Sequence, residues 1–188
     1  MNIDSPTYTR TAIGLHWLVA LLIFVAVPLG VVMHEMALSP LKLKLYSWHK
    51  WIGVTVFALA ILRVLWRATH RPPPPPAGMP DWQRRAASVV HGLLYLLLFL
   101  IPLSGWLMSS AKGFQTVYLG ILPLPDLLAK DEILGEWLAE VHEAFNIGLL
   151  MLLAVHAGAA LKHHIVERDD VLARMWPGLA RRKGGQGK

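Results

Sequence analysis

Four long apolar stretches separated by polar segments set the pattern of this chain. They cover residues 13–33, 48–66, 86–108 and 141–161. Each has about twenty residues, which is enough for a helix to cross a hydrocarbon core about 30 Å thick. The pattern predicts an all-α fold, in which a transmembrane four-helix bundle forms one membrane-embedded domain over residues 1–188.

Basic and acidic residues are unevenly distributed between the apolar stretches. Prolines over residues 72–76 predict a stiff, extended linker. Basic residues gather around this linker and in the C-terminal tail: Arg63, Arg67, Arg71, Arg84, Arg85, Arg168, Arg174, Arg181, Arg182, Lys183 and Lys188. The loop over residues 109–140 is acidic instead. The positive-inside rule predicts that the N-terminus and the C-terminus are cytoplasmic, although Lys42 and Lys44 in the first loop oppose it.

Composition narrows the possible partners and cofactors. The chain has 18 Lys and Arg against 12 Asp and Glu, a net charge of +6 that elsewhere would indicate nucleic-acid binding. Here the basic residues lie beside apolar stretches, so we expect membrane lipids as partners and no nucleic acid. The chain has no cysteine, which excludes disulfides, thiolate-held iron–sulfur clusters and covalently attached c-type haem.

Two histidines share one face of the last apolar stretch. His142 and His156 are 14 residues apart, close to a whole number of helical turns and about 21 Å along the axis. Polar rings inside a membrane are costly and indicate a function. The predicted topology brings His16 to the depth of His156, and His49 to the depth of His142. Two bis-histidine pairs at different depths favour two b-type haems, because neutral imidazole is a good ligand for haem iron.

Other interpretations of these positions stay open. A metal permease also uses histidines, but the apolar stretches hold almost no carboxylate to bind a hard cation, and Glu35 and Glu143 lie only at their ends. Several glycines lie near the histidines and would leave room for a flat macrocycle, or simply allow close helix packing: Gly14, Gly53, Gly148 and Gly158.

Five further residues are candidates near the cytoplasmic side. His91 would contact a haem propionate or a quinone, or bond to a neighbouring helix. His163 and His164 would donate hydrogen bonds and protons to a quinone, or form a solvated cluster. Arg63 and Arg67 would pair with haem propionates, or act only as topology charges.

Motifs spread over nearly the whole chain resemble the bacterial cytochrome b561 family. They are Leu15-His16-Trp17, His49 with Gly53, His91 through Tyr95, Pro102 with Gly105, His142-Glu143, and His156 through His163-His164 to Asp169, Leu172, Arg174 and Met175. The resemblance implies a bacterial inner-membrane protein with two b haems, held by His16 with His156 and by His49 with His142. It also implies electron exchange with a membrane quinone such as ubiquinone. Some family members resemble superoxide oxidases.

The resemblance leads to two hypotheses about function. The first is a di-haem oxidoreductase or electron carrier that oxidises periplasmic superoxide and reduces ubiquinone. Lys42, Lys44 and Lys50 would then form a positive patch that steers the anion, or they would contact only lipid phosphates. The second is a haem b anchor subunit that relays electrons between a dehydrogenase or hydrogenase partner and quinone.

Overall fold

A computed structural model describes residues 7–76 and 78–179 of the chain. The tail residues Arg181, Arg182, Lys183 and Lys188, which contributed to the topology prediction, lie outside these ranges. Four long helices are present: α1 (Arg10–Glu35), α2 (Pro40–Thr69), α3 (Asp81–Ala111) and α4 (Glu132–Lys162). A two-stranded hairpin, β1 (Val117–Tyr118) and β2 (Leu122–Pro123), joins α3 to α4. A π-helical turn (His163–Glu167), a short helix α5 (Val171–Met175) and a 3-10 turn (Pro177–Leu179) follow α4.

The helices extend beyond the apolar stretches because polar residues cap them. The side chains of Thr9, Ser39 and Asp131 each accept a hydrogen bond from the backbone three residues later, at the starts of α1, α2 and α4. All four helices are long and apolar enough to cross a membrane, which confirms the predicted four-helix bundle.

Two details of the α2 prediction were wrong. Lys42 and Lys44 do not lie in a loop but in the first turns of α2, because Ser39 caps the helix before them. His49 does not begin the helix but follows Pro40 by nine residues, about 13 Å along the axis. Capping chemistry, rather than hydropathy, decides where this helix begins.

Consecutive helices pack side by side, α1 on α2, α2 on α3 and α3 on α4. In the described ranges, α4 has no comparably close backbone contact with α1 or α2. We call the end of the bundle that carries β1 and β2 the hairpin end. The opposite end, which carries α5, is the tail end.

The buried core lies midway between these two ends. Val19 of α1, Val56 and Ala60 of α2 and Leu98 of α3 form it. Few other side chains of the four helices are fully buried, as expected for a bundle whose surroundings are lipid. Ala60 is completely buried, and its small side chain allows the helices to approach closely there.

Both ends of the bundle are closed by hydrogen bonds from tryptophan. At the hairpin end, the indole N–H of Trp51 donates to the backbone oxygen of Val117 at 2.7 Å. At the tail end, the indole N–H of Trp17 donates to the backbone oxygen of Met175 at 2.8 Å. Each loop is therefore attached to a helix that also carries one of the candidate histidines.

Candidate functional site

The four candidate histidines form two pairs in the structure. At the tail end, the ring centres of His16 and His156 are 6.2 Å apart, with ring planes 78° from parallel. At the hairpin end, the ring centres of His49 and His142 are 6.4 Å apart, again at 78°. Since α4 is continuous from Glu132 to Lys162, its two histidines are about 21 Å apart along the axis. All four rings are partly buried.

The separation within each pair fits two imidazoles that bind one iron ion from opposite sides. A first-row metal ion lies about 2 Å from an imidazole nitrogen, and that nitrogen lies about 1.2 Å from the ring centre, so two such rings have centres about 6.3 Å apart. Both pairs also span helices whose backbones are not in close contact, α1 with α4 and α2 with α4. The donor set, imidazole nitrogen without thiolate, suits a non-covalently held b-type haem.

Backbone carbonyls orient both rings at the hairpin end. His49 Nδ1 lies 3.1 Å from the backbone oxygen of Ala26, and His142 Nδ1 lies 3.0 Å from that of Ile101. A carbonyl oxygen only accepts, so Nδ1 carries the hydrogen in each ring and Nε2 keeps a free lone pair. The buried Ser104 adds its hydroxyl 3.0 Å from His142 Nδ1. These contacts select the tautomer that a metal ligand needs.

Glycines make these ring positions possible. Gly30 and Gly105 each follow the accepting carbonyl by four residues, so they occupy the helical position beside it. A Cβ at Gly30 would lie 3.2 Å from His49 Cε1, and one at Gly105 would lie 3.1 Å from His142 Cε1. Any side chain at either position would push the ring away from its carbonyl.

The glycines predicted from the sequence have different surroundings. A Cβ at Gly14, Gly53 or Gly158 would meet no atom within 4 Å, and one at Gly148 would lie 3.9 Å from Leu97 Cδ1. None of them touches a histidine ring in the described residues. Space beside the first three is open, which is compatible with either of the roles considered for them.

A third histidine joins the pair at the tail end. The ring centre of His91 lies 5.2 Å from that of His156. Arg63 lies over the Tyr95 ring at 5.3 Å, one helical turn along α3 from His91. The structure thus gathers most of the candidates predicted for this side.

Arg67 belongs to the same neighbourhood. It follows Arg63 by four residues, so both guanidinium groups leave the same face of α2. Both arginines belong to the last two turns of α2, where the helix leaves the apolar core.

His163 lies at the centre of a cluster of carboxylates at the tail end. Its Nδ1 is 2.5 Å from Glu167 Oε2 and 2.6 Å from Asp169 Oδ2, and its side chain is only 12% exposed. The π-helical turn brings Glu167 back toward His163, while Lys162 and Gln83 hold the other oxygen of Glu167. One proton on His163 is therefore shared between two acceptors. The adjacent His164 is partly buried and lies outside this cluster.

The three candidate lysines of α2 do not converge on one patch. Lys42 Nζ donates to the backbone oxygens of Met36 and His34 at the end of α1. Lys44 lies over the Trp48 ring at 5.1 Å, and Lys50 Nζ donates to the Phe114 backbone oxygen at 2.8 Å. Of the three, Lys50 is the one that immediately follows a histidine of the hairpin-end pair.

Sequence reasoning missed the residues that support the site from neighbouring elements. Gly30 had a detectable signal, since it comes two residues after Pro28 inside a helix, as Gly105 comes three after Pro102. Ser104 had none, because its partner is 38 residues away. Arg174 is part of the family motif, but its contacts could not be predicted, because its guanidinium binds the Pro74 backbone oxygen, 100 residues away, and pairs with Asp170.

Comparisons with known proteins agree with this arrangement. The family described as prokaryotic cytochrome b561 matches residues 7–178. Cytochrome b561 homolog 2 of Escherichia coli strain K12 is 32% identical over 169 residues, which cover 89% of this chain and 90% of that protein. Cytochrome b561 homolog 1 of the same strain is 33% identical over 181 residues, covering 90% and 97%. The probable superoxide oxidase CybB of Yersinia pestis is 27% identical over 175 residues, covering 90% and 96%.

The match extends over almost all of the described chain, including both histidine pairs and the tail-end cluster. The four membrane-crossing helices and the family match both indicate a membrane protein that binds haem b. The chain belongs to the prokaryotic cytochrome b561 family and is a multi-pass protein of the bacterial inner membrane that binds haem b and transfers electrons.

Proposed function

We propose that this protein binds two b haems and carries electrons across the membrane, from superoxide outside to a quinone at the cytoplasmic side. The observation that carries the proposal is the presence of two histidine pairs, with ring centres 6.2 and 6.4 Å apart, at opposite ends of one bundle. His16 with His156 and His49 with His142 are the proposed axial ligands. When bound, each haem would supply a one-electron redox centre, and its two imidazole ligands would favour electron transfer over oxygen binding.

The proposed orientation puts the tail end in the cytoplasm and the hairpin end outside. Arg63, Arg67 and the linker arginines lie at the tail end, as the positive-inside rule requires. The loop between α3 and α4 carries Asp126 and Asp131, and the first turns of α4 add Glu132 and Glu136 at the hairpin end. Arg63 and Arg67 lie at the end of the bundle that holds His16 and His156, so they also suit the propionates of a haem bound there.

Superoxide is the proposed donor at the hairpin end. The name of the Yersinia pestis relative supports this choice, and Lys50, directly after His49 and hydrogen-bonded to the outer loop, offers a positive charge there. Two superoxide ions each lose one electron and leave as dioxygen. Lys42 and Lys44 contribute only to the wider positive potential, because their ammonium groups already contact α1 carbonyls and Trp48.

A quinone such as ubiquinone is the proposed acceptor at the tail end. It gains the two electrons and takes two protons from the cytoplasmic side to become the quinol. His163, which shares a proton between Glu167 and Asp169, provides a proton donor at this surface. His91 and His164 are further candidates for contact with the quinone, and His91 is the nearer of the two to His156.

The direct test feeds superoxide to the purified, haem-loaded protein in the presence of a soluble ubiquinone analogue. We expect quinol to form with one quinol for every two superoxide ions, and added superoxide dismutase to abolish the reaction. The His142→Ala variant, which removes one proposed ligand of the hairpin-end pair, should stop the reaction. Absence of superoxide-driven quinol formation by protein with two haems would refute the donor, and a count of one haem per chain would refute the two-site arrangement.

A further inference from the structure

The two histidine pairs differ in the hydrogen bonds that their imidazole rings form. Both hairpin-end rings donate from Nδ1 to backbone carbonyls, those of Ala26 and Ile101. Within residues 7–76 and 78–179, neither the His16 ring nor the His156 ring forms a hydrogen bond with another residue. At the hairpin end, Gly30 and Gly105 leave room for each ring beside its carbonyl, since a Cβ would lie 3.2 Å from His49 Cε1 or 3.1 Å from His142 Cε1.

This difference changes how strongly each pair donates electrons to a bound iron. An imidazole whose N–H is held by a carbonyl is more basic, so its other nitrogen is a stronger donor to the metal. A stronger donor stabilises the ferric state more than the ferrous state. Hydrogen bonding at the ligands is one of the means by which proteins set haem potentials. The hairpin-end pair is therefore the one that lowers the potential.

The positions of charged residues change the two midpoint potentials in the same sense as the hydrogen bonds do. The guanidinium of Arg63 lies over the Tyr95 ring, one turn along α3 from His91, whose ring centre is 5.2 Å from that of His156. At the hairpin end, Lys50 follows His49 along α2, but its ammonium group donates to the Phe114 backbone oxygen in the loop after α3. A fixed positive charge in a medium of low dielectric favours the less positive, reduced state of a nearby metal centre. The tail-end pair is therefore the one at which the potential is raised.

We infer that the hairpin-end centre has the lower midpoint potential and the tail-end centre the higher one. Electrons that enter at the hairpin end then move downhill toward the tail end. The direction of transfer is thus built into two features of this chain, the carbonyls exposed beside Gly30 and Gly105 and the charge of Arg63. This inference rests on the proposed function, because it requires two haems on the proposed ligands.

The test is an optical redox titration of the purified two-haem protein and of paired variants. Arg63→Gln should lower the higher potential and leave the lower one unchanged, whereas Arg63→Lys, which keeps the charge, should restore it. Ser104→Ala removes an acceptor from His142 Nδ1 and should raise the lower potential alone. Ser47→Ala is its matched control, because Ser47 bonds only within α2, to the Leu43 backbone oxygen.

A second route assigns the two potentials even if a variant loads haem poorly. His16→Ala should leave one haem, at the hairpin end, and that haem should titrate at the lower potential. If it titrates at the higher potential, or if Arg63→Gln shifts the lower one, the inference is overturned while the two-haem function stands. If the unmodified protein carries a single haem, the proposed function itself fails. Haem content per chain, measured on each sample, separates the two results.

Discussion

Replacing Gly105 by alanine tests whether the hairpin-end rings are held by the helix opposite them. The new Cβ would lie 3.1 Å from His142 Cε1 and 3.4 Å from Nδ1, closer than side chains normally pack. The ring must then shift by a few tenths of an ångström and lengthen its 3.0 Å contact with the Ile101 backbone oxygen. Loss of a partner that orients a metal ligand typically lowers metal affinity by about 10- to 100-fold.

The effect of Gly105→Ala on protein stability distinguishes a loss of haem affinity from general unfolding. Alanine favours a helix over glycine by about 1 kcal/mol, so the substitution in itself stabilises α3. Gly148→Ala in α4 is the matched control, because its Cβ would lie at an ordinary 3.9 Å from Leu97. We expect Gly105→Ala to bind haem at least about 10-fold more weakly than the control, measured as haem per chain over a dilution series. Equal haem content and identical spectra in the two variants would show that the ring does not depend on this glycine.

Three further predictions concern residues outside the hairpin-end pair. Trp17→Phe loses the bond to the Met175 backbone oxygen, worth about 1 kcal/mol, so limited proteolysis should cut the tail after α4 faster than in the exposed Trp137→Phe control. His163→Gln should slow quinol formation while superoxide reduces the haems at an unchanged rate; equal slowing of both would instead indicate a structural role. Lys50→Gln should lower the superoxide rate and make it less sensitive to salt, and an unchanged salt dependence would exclude steering by this residue.

The four helices and the paired histidines could be predicted because their signals are local. About twenty consecutive apolar residues require a membrane crossing regardless of what lies beside them. The 14-residue interval from His142 to His156 puts both rings on one face of any helix, and α4 is indeed continuous through both. Alternation of the helices then put His16 at the depth of His156 and His49 at the depth of His142.

Helix boundaries and the surroundings of the lysines were predicted less well. The start of α2 depends on the Ser39 cap, which hydropathy does not register, so Lys42 and Lys44 were expected in a loop. Their contacts with α1 carbonyls and with Trp48 depend on how the two helices face each other. The prediction of a positive patch used only the spacing of the lysines along the sequence. Residues close together in a helix project in different directions around its axis, so these lysines do not converge.

The sequence by itself determined the membrane-crossing helices, the depth of each histidine and the exclusion of covalently attached haem. These follow from hydropathy, helical period and composition, which are properties of short segments. Only the tertiary structure decided which carbonyl holds each ring, which glycine makes room for it and which arginine lies near it. Ala26 is 23 residues from His49, Ile101 is 41 from His142 and Pro74 is 100 from Arg174. Contacts over such distances form only when whole helices pack, and they are the ones that distinguish the two histidine pairs.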